Sequence, residues 1–285
     1  MDVKITVLIT TYNHESYVGE MIESIFKQSI NVDQIIIADD FSQDDTINKV
    51  KNLARLHKKS IEIYVTPENS GVSENLMNAI GHIKNEIIIT GSGDDIFLND
   101  RCEKVVEFLD ENKKIIGGYT NLIKIDDIGN EIGLFYKSTP KMARGVLDII
   151  MLRNVYCVGA SMFFRKDILN FKNNNRLKHI SSDGALAFRC IMEGGFGYLN
   201  KPTVKYRFHA NNLSQNLTFE QKSQYWLNNY KYYDELLSHN RDFAHGVFVT
   251  TVLRIRFYQW LLVRSVLSAS FKIKPLKRFI TKLKY

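Results

Sequence analysis

The chain has 285 residues, 45% of them apolar and 24% charged, and a net charge of +7. That length and apolar content allow a sizeable core, in one large domain or a domain with an appendage, and exclude a disordered or fibrous chain. Cys102, Cys157 and Cys190 form no CxxC spacing and leave an odd count, which argues against a disulfide framework or structural zinc and suits a reducing compartment.

The N-terminus carries an acid, its apolar run is short, and no small-residue cleavage site follows, so residues 3–9 read as a first buried strand and not as a signal peptide. Thr10-Thr11-Tyr12-Asn13 is a polar loop. A helix over about 14–29 follows, with Tyr17, Val18, Met21, Ile22, Ile25 and Phe26 at helical spacing and Asn13 as its N-cap. Strands at 34–38, 61–65 and 86–90 alternate with helices at 44–58 and 72–83. The first 95 residues therefore read βαβαβαβ with short loops, the pattern of a mostly parallel sheet flanked by helices. A helix near 100–112 comes next, then a hairpin of strands about 115–125 and 131–137 turning at Asp126-Asp127-Ile128-Gly129-Asn130. The pattern continues with a helix near 144–152, a strand near 157–165, a helix near 183–193 and a strand ending in Tyr206-Arg207-Phe208-His209.

From about 216 onward the chain reads as helical and aromatic. Ten basic residues and one acid fall in 241–285, so the body before them is close to neutral. Arg254, Arg256 and Arg264 interrupt the apolar run there, so it lacks the roughly 20 uninterrupted apolar residues a membrane span needs. Residues 271–285 alternate Lys or Arg with Ile, Leu and Phe. A basic amphipathic helix of that kind lies on an anionic membrane surface, or else packs on the domain or on a second copy. No recognised nucleic-acid-reading module accompanies the basic charge, so nucleic acid is not expected as a partner.

The chemistry concentrates in two acidic pairs at strand ends. Asp39-Asp40 follows Ile35-Ile36-Ile37-Ala38, and Asp94-Asp95 follows Ile87-Ile88-Ile89-Thr90-Gly91-Ser92-Gly93. Ligands of open α/β sheets bind at strand ends. Carboxylates there would repel a phosphate directly, whereas a divalent cation between them would hold a diphosphate. Neither GxGxxG nor GxxxxGK[ST] is present, so a nicotinamide or NTP-hydrolysing site lacks its usual phosphate cradle.

Three segments in this order, Val7–Asn13, Ile36–Thr46 with its Ala38-Asp39-Asp40-Phe41-Ser42, and Gly91-Ser92-Gly93-Asp94-Asp95, resemble family 2 glycosyltransferases of the GT-A fold. The likeness covers about residues 3–215. It implies a Rossmann-like nucleotide-binding half over 1–95 and an acceptor half over 96–215, and leaves the helical, basic C-terminal region over 216–285 beyond it. It also implies a nucleotide-sugar donor, Mn²⁺ or Mg²⁺, and inversion at the anomeric carbon.

By this resemblance Thr10, Thr11 and Tyr12 line the base pocket, although alone they read as a strand-to-helix turn. Asp40 accepts a hydrogen bond from the base, which suits the N–H groups of uracil or guanine. Asp39 reads as structural, and Ser42 with Asp44-Asp45 as caps of the second helix. Asn75 reaches the nucleotide or is a plain early-helix residue, and Glu74 stands where many members carry Arg or Lys. Asp94 holds ribose or metal and Asp95 the metal, with Ser92 in place of the usual first acid; the ordinary alternative is a cap for the helix at 100. Asp183 matches the general base and otherwise reads as an N-cap. Tyr206-Arg207-Phe208-His209 matches the ending of non-processive members, with His209 completing the metal shell or touching the diphosphate and Arg207 neutralising the diphosphate. The processive QxxRW motif is absent from the sequence.

The expected activity is transfer of a single sugar, from a UDP-sugar, to a hydroxyl of a glycan acceptor that is lipid-linked. The expected place is bacterial surface polysaccharide synthesis, in the cytoplasm and peripheral on the inner face of the cell membrane. A sugar nucleotidyltransferase and a catalytically inactive membrane-associated scaffold of the same fold remain the alternatives.

Overall fold

The computed structural model describes residues 3–139, 157–169 and 183–209, all within one compact unit spanning Met1–Tyr232. The helix expected near 144–152, the domain boundary near 215 and the basic tail lie outside the described residues.

The first strand, β1 (Ile5–Thr11), lies between β2 (Gln34–Asp39) and β4 (Ile87–Ser92), and β3 (Glu62–Val65) flanks β2; all these pairings are parallel. β2 is buried along its whole length, which explains the continuous apolar run Ile35–Ala38: a strand covered on both faces does not alternate. Alternate residues of β1 feed opposite cores. Ile5, Val7 and Ile9 pack with α1 (Val18–Phe26), α2 (Thr46–Leu56) and α4 (Arg101–Glu111), while Leu8 joins α3 (Val72–Ile80) and α5 (Asp183–Glu193) on the other face.

Beyond β4 the sheet becomes mixed. β8 (Met162–Arg165) runs antiparallel to β4, and β6 (Gly117–Ile125) antiparallel to β8. β9 (Phe196–Arg207) runs parallel to β6, and the two-residue β5 (Ile96–Phe97) is antiparallel to β9. β7 (Glu131–Leu134) pairs with β6, giving the expected hairpin. Gly118 allows β6 and β9 to approach: a Cβ there would stand 2.5 Å from the Gly197 carbonyl oxygen.

The first helix is shorter than the 14–29 periodicity suggests. His14 O accepts from both Tyr17 N and Val18 N, and at the far end Ser29 N leaves the helix to bond Asn99 O. Asn13 does not cap it. Instead Asn13 adopts a φ of 52° and its Oδ1 accepts from Gln43 N at 2.8 Å. Ser42 likewise does not cap α2. Its hydroxyl donates to Asp39 Oδ2 and accepts from Asn13 N, tying the β1 and β2 exits together. Asp44 meets the first amide of α2, accepting from Thr46 N at 3.0 Å, and also accepts from Glu15 N. These loops hold one another in place at the edge where the parallel strands end.

Candidate active site

Strand register places the two acidic pairs on one edge. Thr10 of β1 is abreast of Ala38 on one side and Ser92 on the other, so Asp39-Asp40 and Asp94-Asp95 leave the sheet on either side of the first loop. Open α/β sheets bind ligands at this carboxyl end.

Asp39 and Thr11 belong to the scaffold. Thr11 Oγ1 donates to Asp39 Oδ2 at 2.8 Å, and Ser42 N donates to Oδ1. Thr11 is buried, so its side chain supports the pocket expected there instead of lining it openly. Thr10 Oγ1 makes a long bond to Gly91 O, and Tyr12 is half-buried on the loop beyond. The Asp40 carboxylate gathers the β3–α3 loop: Oδ1 accepts from Ser70 N at 2.9 Å and Thr66 Oγ1 at 3.2 Å, and Oδ2 accepts from Gly71 N at 2.9 Å. A carboxylate oxygen has two acceptor directions, so Oδ2 keeps one for a ligand N–H. Asn75 is buried behind it. Its Nδ2 donates to Ala38 O, while its Oδ1 is a buried acceptor with no partner.

Asp94 and Asp95, adjacent in sequence, face different surroundings. Asp94 Oδ2 lies 3.0 Å from His209 Nε2 and 3.9 Å from His14 Nε2, and its Oδ1 is buried without a partner. Burial works to raise this carboxyl, but the His209 bond and nearby His14 outweigh it and hold it below the usual range. Asp95 is fully buried, its Oδ1 accepting from Arg207 N at 2.9 Å and its Oδ2 unpartnered. Burial, reinforced by the Asp94 charge, pushes Asp95 well above the carboxylate range. The carboxyl beside an imidazole is therefore that of Asp94, and each of the two acids keeps one buried oxygen without a partner.

Asp94 and His209 would offer two side-chain donors to a Mn²⁺ or Mg²⁺ ion. Neighbouring ligands of an octahedral ion with bonds of roughly 2.1 Å stand about 3 Å apart, matching the 3.0 Å between Asp94 Oδ2 and His209 Nε2. Among the described residues no group of three His, Cys, Asp or Glu side chains is arranged to hold an ion by itself. Two protein donors with the remaining positions left to phosphate and water is how Mg²⁺-type sites are commonly completed.

Arg207, expected at the diphosphate, is held by three parts of the chain. It is 2% exposed, and its Nε, Nη1 and Nη2 donate to Asp94 O, Asp127 O and the Glu20 carboxylate. All three guanidinium nitrogens thus have protein acceptors.

Asp183 opens α5, and its Oδ2 accepts from Gly159 N at 2.8 Å. A Cβ at residue 159 would collide with this carboxylate, so glycine is what permits the contact. Gly159 in turn accepts from Thr90 Oγ1 at 2.6 Å, which joins Asp183 to the strand that delivers Asp94. Burial raises the Asp183 carboxyl to about 6, against the pull of the Gly159 amide.

Four contributors escaped the sequence reading. His14, Tyr17 and Glu20 come from the β1–α1 connection and the first turn of α1, and Asp127 from the hairpin turn. The Tyr17 ring lies 4.9 Å from the His209 ring and 4.9 Å below the Arg207 guanidinium, and its hydroxyl donates to Asp127 Oδ1. The dense polar and aromatic run Asn13-His14-Glu15, then Tyr17, at the first strand exit was the available signal. Gly93 makes room for His14: a Cβ there would fall 2.8 Å from His14 Nδ1 and 2.6 Å from Thr11 Cγ2. Gly93→Ala should therefore cost about 1–3 kcal/mol of stability, measured by thermal unfolding.

A family model for glycosyl transferase family 2 matches residues 6–171. Among curated proteins, EpsE of Bacillus subtilis (strain 168), named as a glycosyltransferase, is 29% identical over 147 residues, which is 50% of this chain and 52% of EpsE. The chain thus spans about half the length of that relative. An uncharacterised glycosyltransferase of Haemophilus influenzae is 27% identical over 238 residues, 76% of this chain and 69% of that protein. Among solved structures, S. aureus TarS 1-349 in complex with UDP-GlcNAc superposes with a TM-score of 0.65 at 18% identity, covering 90% of this chain and 73% of TarS. The mannosyltransferase PcManGT from Pyrobaculum calidifontis, in complex with GDP-Man and Mn²⁺, gives 0.57 at 15% identity over 98% and 83%. Those two likenesses establish the shared fold, and the sequence match establishes the lineage: the chain belongs to glycosyl transferase family 2.

Proposed function

We propose that this chain transfers a single sugar from a nucleotide-sugar, of the UDP type, to a hydroxyl of a glycan acceptor, with inversion. The observation that carries this reading is the Asp94–His209 pair on the strand edge that also presents Asp40, linked through Gly159 to a carboxylate tuned to about 6. The bound nucleotides named for TarS and PcManGT support a nucleoside diphosphate donor.

Asp183 takes the proton from the acceptor hydroxyl as its oxygen bonds to the anomeric carbon. The bond from that carbon to the diphosphate oxygen breaks on the opposite face, and the electron pair leaves with the nucleoside diphosphate. A base tuned near the operating pH contributes about 10²–10⁴-fold. Asp94 and His209 would hold the divalent cation, whose chemistry is to neutralise charge on the diphosphate. Asp40 orients the base through the acceptor direction left on Oδ2, and Asp95 braces the turn through the Arg207 amide. A lipid-linked acceptor would place the protein at a membrane surface, which the basic residues of 241–285 support. Among the described residues no helix is long and apolar enough to cross a membrane.

UDP with Mn²⁺ tests this reading. At about 100 times the dissociation constant a ligand adds roughly 2.7 kcal/mol, which for a domain of this size raises the melting temperature by about 5–10 °C. The pair should stabilise more than either component alone. Equal stabilisation by UDP with and without metal would remove the metal from the proposal, and no stabilisation by either would favour an inactive scaffold.

A further inference from the structure

Arg207 ends β9, and its nitrogens reach three separate parts of the chain. Nε donates to Asp94 O at 2.9 Å, Nη1 to Asp127 O at 2.8 Å on the β6–β7 turn, and Nη2 to the Glu20 carboxylate in the first turn of α1. Its own amide donates to Asp95 Oδ1 at 2.9 Å. The guanidinium plane lies over the Tyr17 ring, which also lies beside the His209 imidazole, two residues further along the chain. The side chain thus ties the helix, the hairpin turn and the Asp94 backbone together, its own amide holds Asp95, and the Tyr17 ring touches both it and the His209 imidazole.

We infer that Arg207 is a positioning residue: it fixes Asp94 and His209 at ligand spacing and fastens the hairpin turn and α1 to them, without itself binding the diphosphate. The inference rests on the transferase reading above. A planar fork can serve three acceptors set in different directions, whereas a lysine ammonium in the same place is a single point charge on a flexible stem. To reach a phosphate, the guanidinium would have to leave Asp94 O, Asp127 O and Glu20 together, releasing the turn that presents Asp94.

The two roles separate in Arg207→Lys and Glu20→Gln. Glu20 is more than half exposed, so its replacement should leave folding intact. Partners that orient metal ligands typically cost 10–100-fold in metal affinity or activity when replaced. We expect Arg207→Lys to weaken calorimetric Mn²⁺ binding to the UDP-loaded protein by about that factor and to lower kcat similarly. UDP affinity without metal should stay within about threefold. Glu20→Gln should move Mn²⁺ affinity and kcat in the same direction by about 3–10-fold, and it carries the test if the lysine variant fails to fold. A diphosphate ligand would behave oppositely: Glu20→Gln would free its charge and tighten metal-free UDP binding, while Arg207→Lys would keep Mn²⁺ affinity. Either result overturns the inference. Wild-type protein that binds neither UDP nor Mn²⁺ would instead overturn the reading beneath it, a failure visible before any variant is made.

Discussion

Asp183→Asn should lower the transfer rate by about 10²–10⁴-fold while leaving UDP and Mn²⁺ binding within twofold of wild type. The asparagine keeps an oxygen for the Gly159 amide, now 2.8 Å from Asp183 Oδ2, so the start of α5 and its link through Gly159 to β4 should survive. What disappears is the only function the proposal gives this carboxylate, acceptance of the hydroxyl proton. Single-turnover transfer, together with UDP release by slow hydrolysis, separates the two effects. Near wild-type transfer in this variant would remove Asp183 from the base role.

The pH profile follows from the same residue. Burial raises the Asp183 carboxyl from 3.8 to about 6, so the ionised, proton-accepting form predominates only above that value. The kcat/KM of the wild type should fall as pH drops through about 6, and Asp183→Asn should lack this limb. For stability the sign is opposite. A carboxyl whose folded pKa is raised contributes stability that is fully present below its unfolded value, and that contribution is lost as pH rises through about 6. Ionised Asp183 is thus destabilising at neutral pH, and the asparagine variant should not lose stability between about pH 4 and 6 through this position. Catalytic and stability profiles crossing in this way would distinguish a tuned base from a simple N-cap, whose pKa would be lowered.

Much of the fold could be read from local pattern. Ile35–Ala38 and Ile87–Ile89 are unbroken apolar runs because both faces of these strands are covered, and the alternation with helices up to residue 95 needs no knowledge of distant partners. The second half resists such reading. β5 is two residues long and exists only because β9 lies against it, and β6 sits between β8 and β9, neither adjacent to it in sequence. The site divides in the same way. Asp40, Asp94, Asp183 and His209 stand in recognisable strings, whereas Tyr17 and Glu20 read as ordinary residues of a helix start. Only tertiary folding brings them against Arg207, which approaches from 187 residues away in sequence. Nothing in the turn Asp126–Asn130 marks Asp127 as the partner of Tyr17 and Arg207. Nor can two neighbouring aspartates in a string reveal which faces inward.

That last ambiguity yields the second large effect. Asp94→Asn should abolish the mutual reinforcement of UDP and Mn²⁺ binding and lower transfer by about 10²–10³-fold, the range seen when one preorganised charge-stabilising contact is removed. Asp95→Asn should be far milder in Mn²⁺ affinity and show its cost in thermal stability. The contrast follows from their surroundings. Asp94 keeps a depressed carboxyl, an unpartnered Oδ1 and an imidazole at 3.0 Å, all properties of a group able to grip a cation. Asp95 has no exposure, one oxygen committed to the Arg207 amide, and a carboxyl that burial and the Asp94 charge push upward, so asparagine, which matches it in size, disturbs it least. Calorimetric Mn²⁺ titration of both variants with UDP present decides between them. If Asp95→Asn lost the metal while Asp94→Asn retained it, the cation would sit deeper than Asp94 and His209 allow, and their 3.0 Å spacing would be an ordinary carboxylate–imidazole bond.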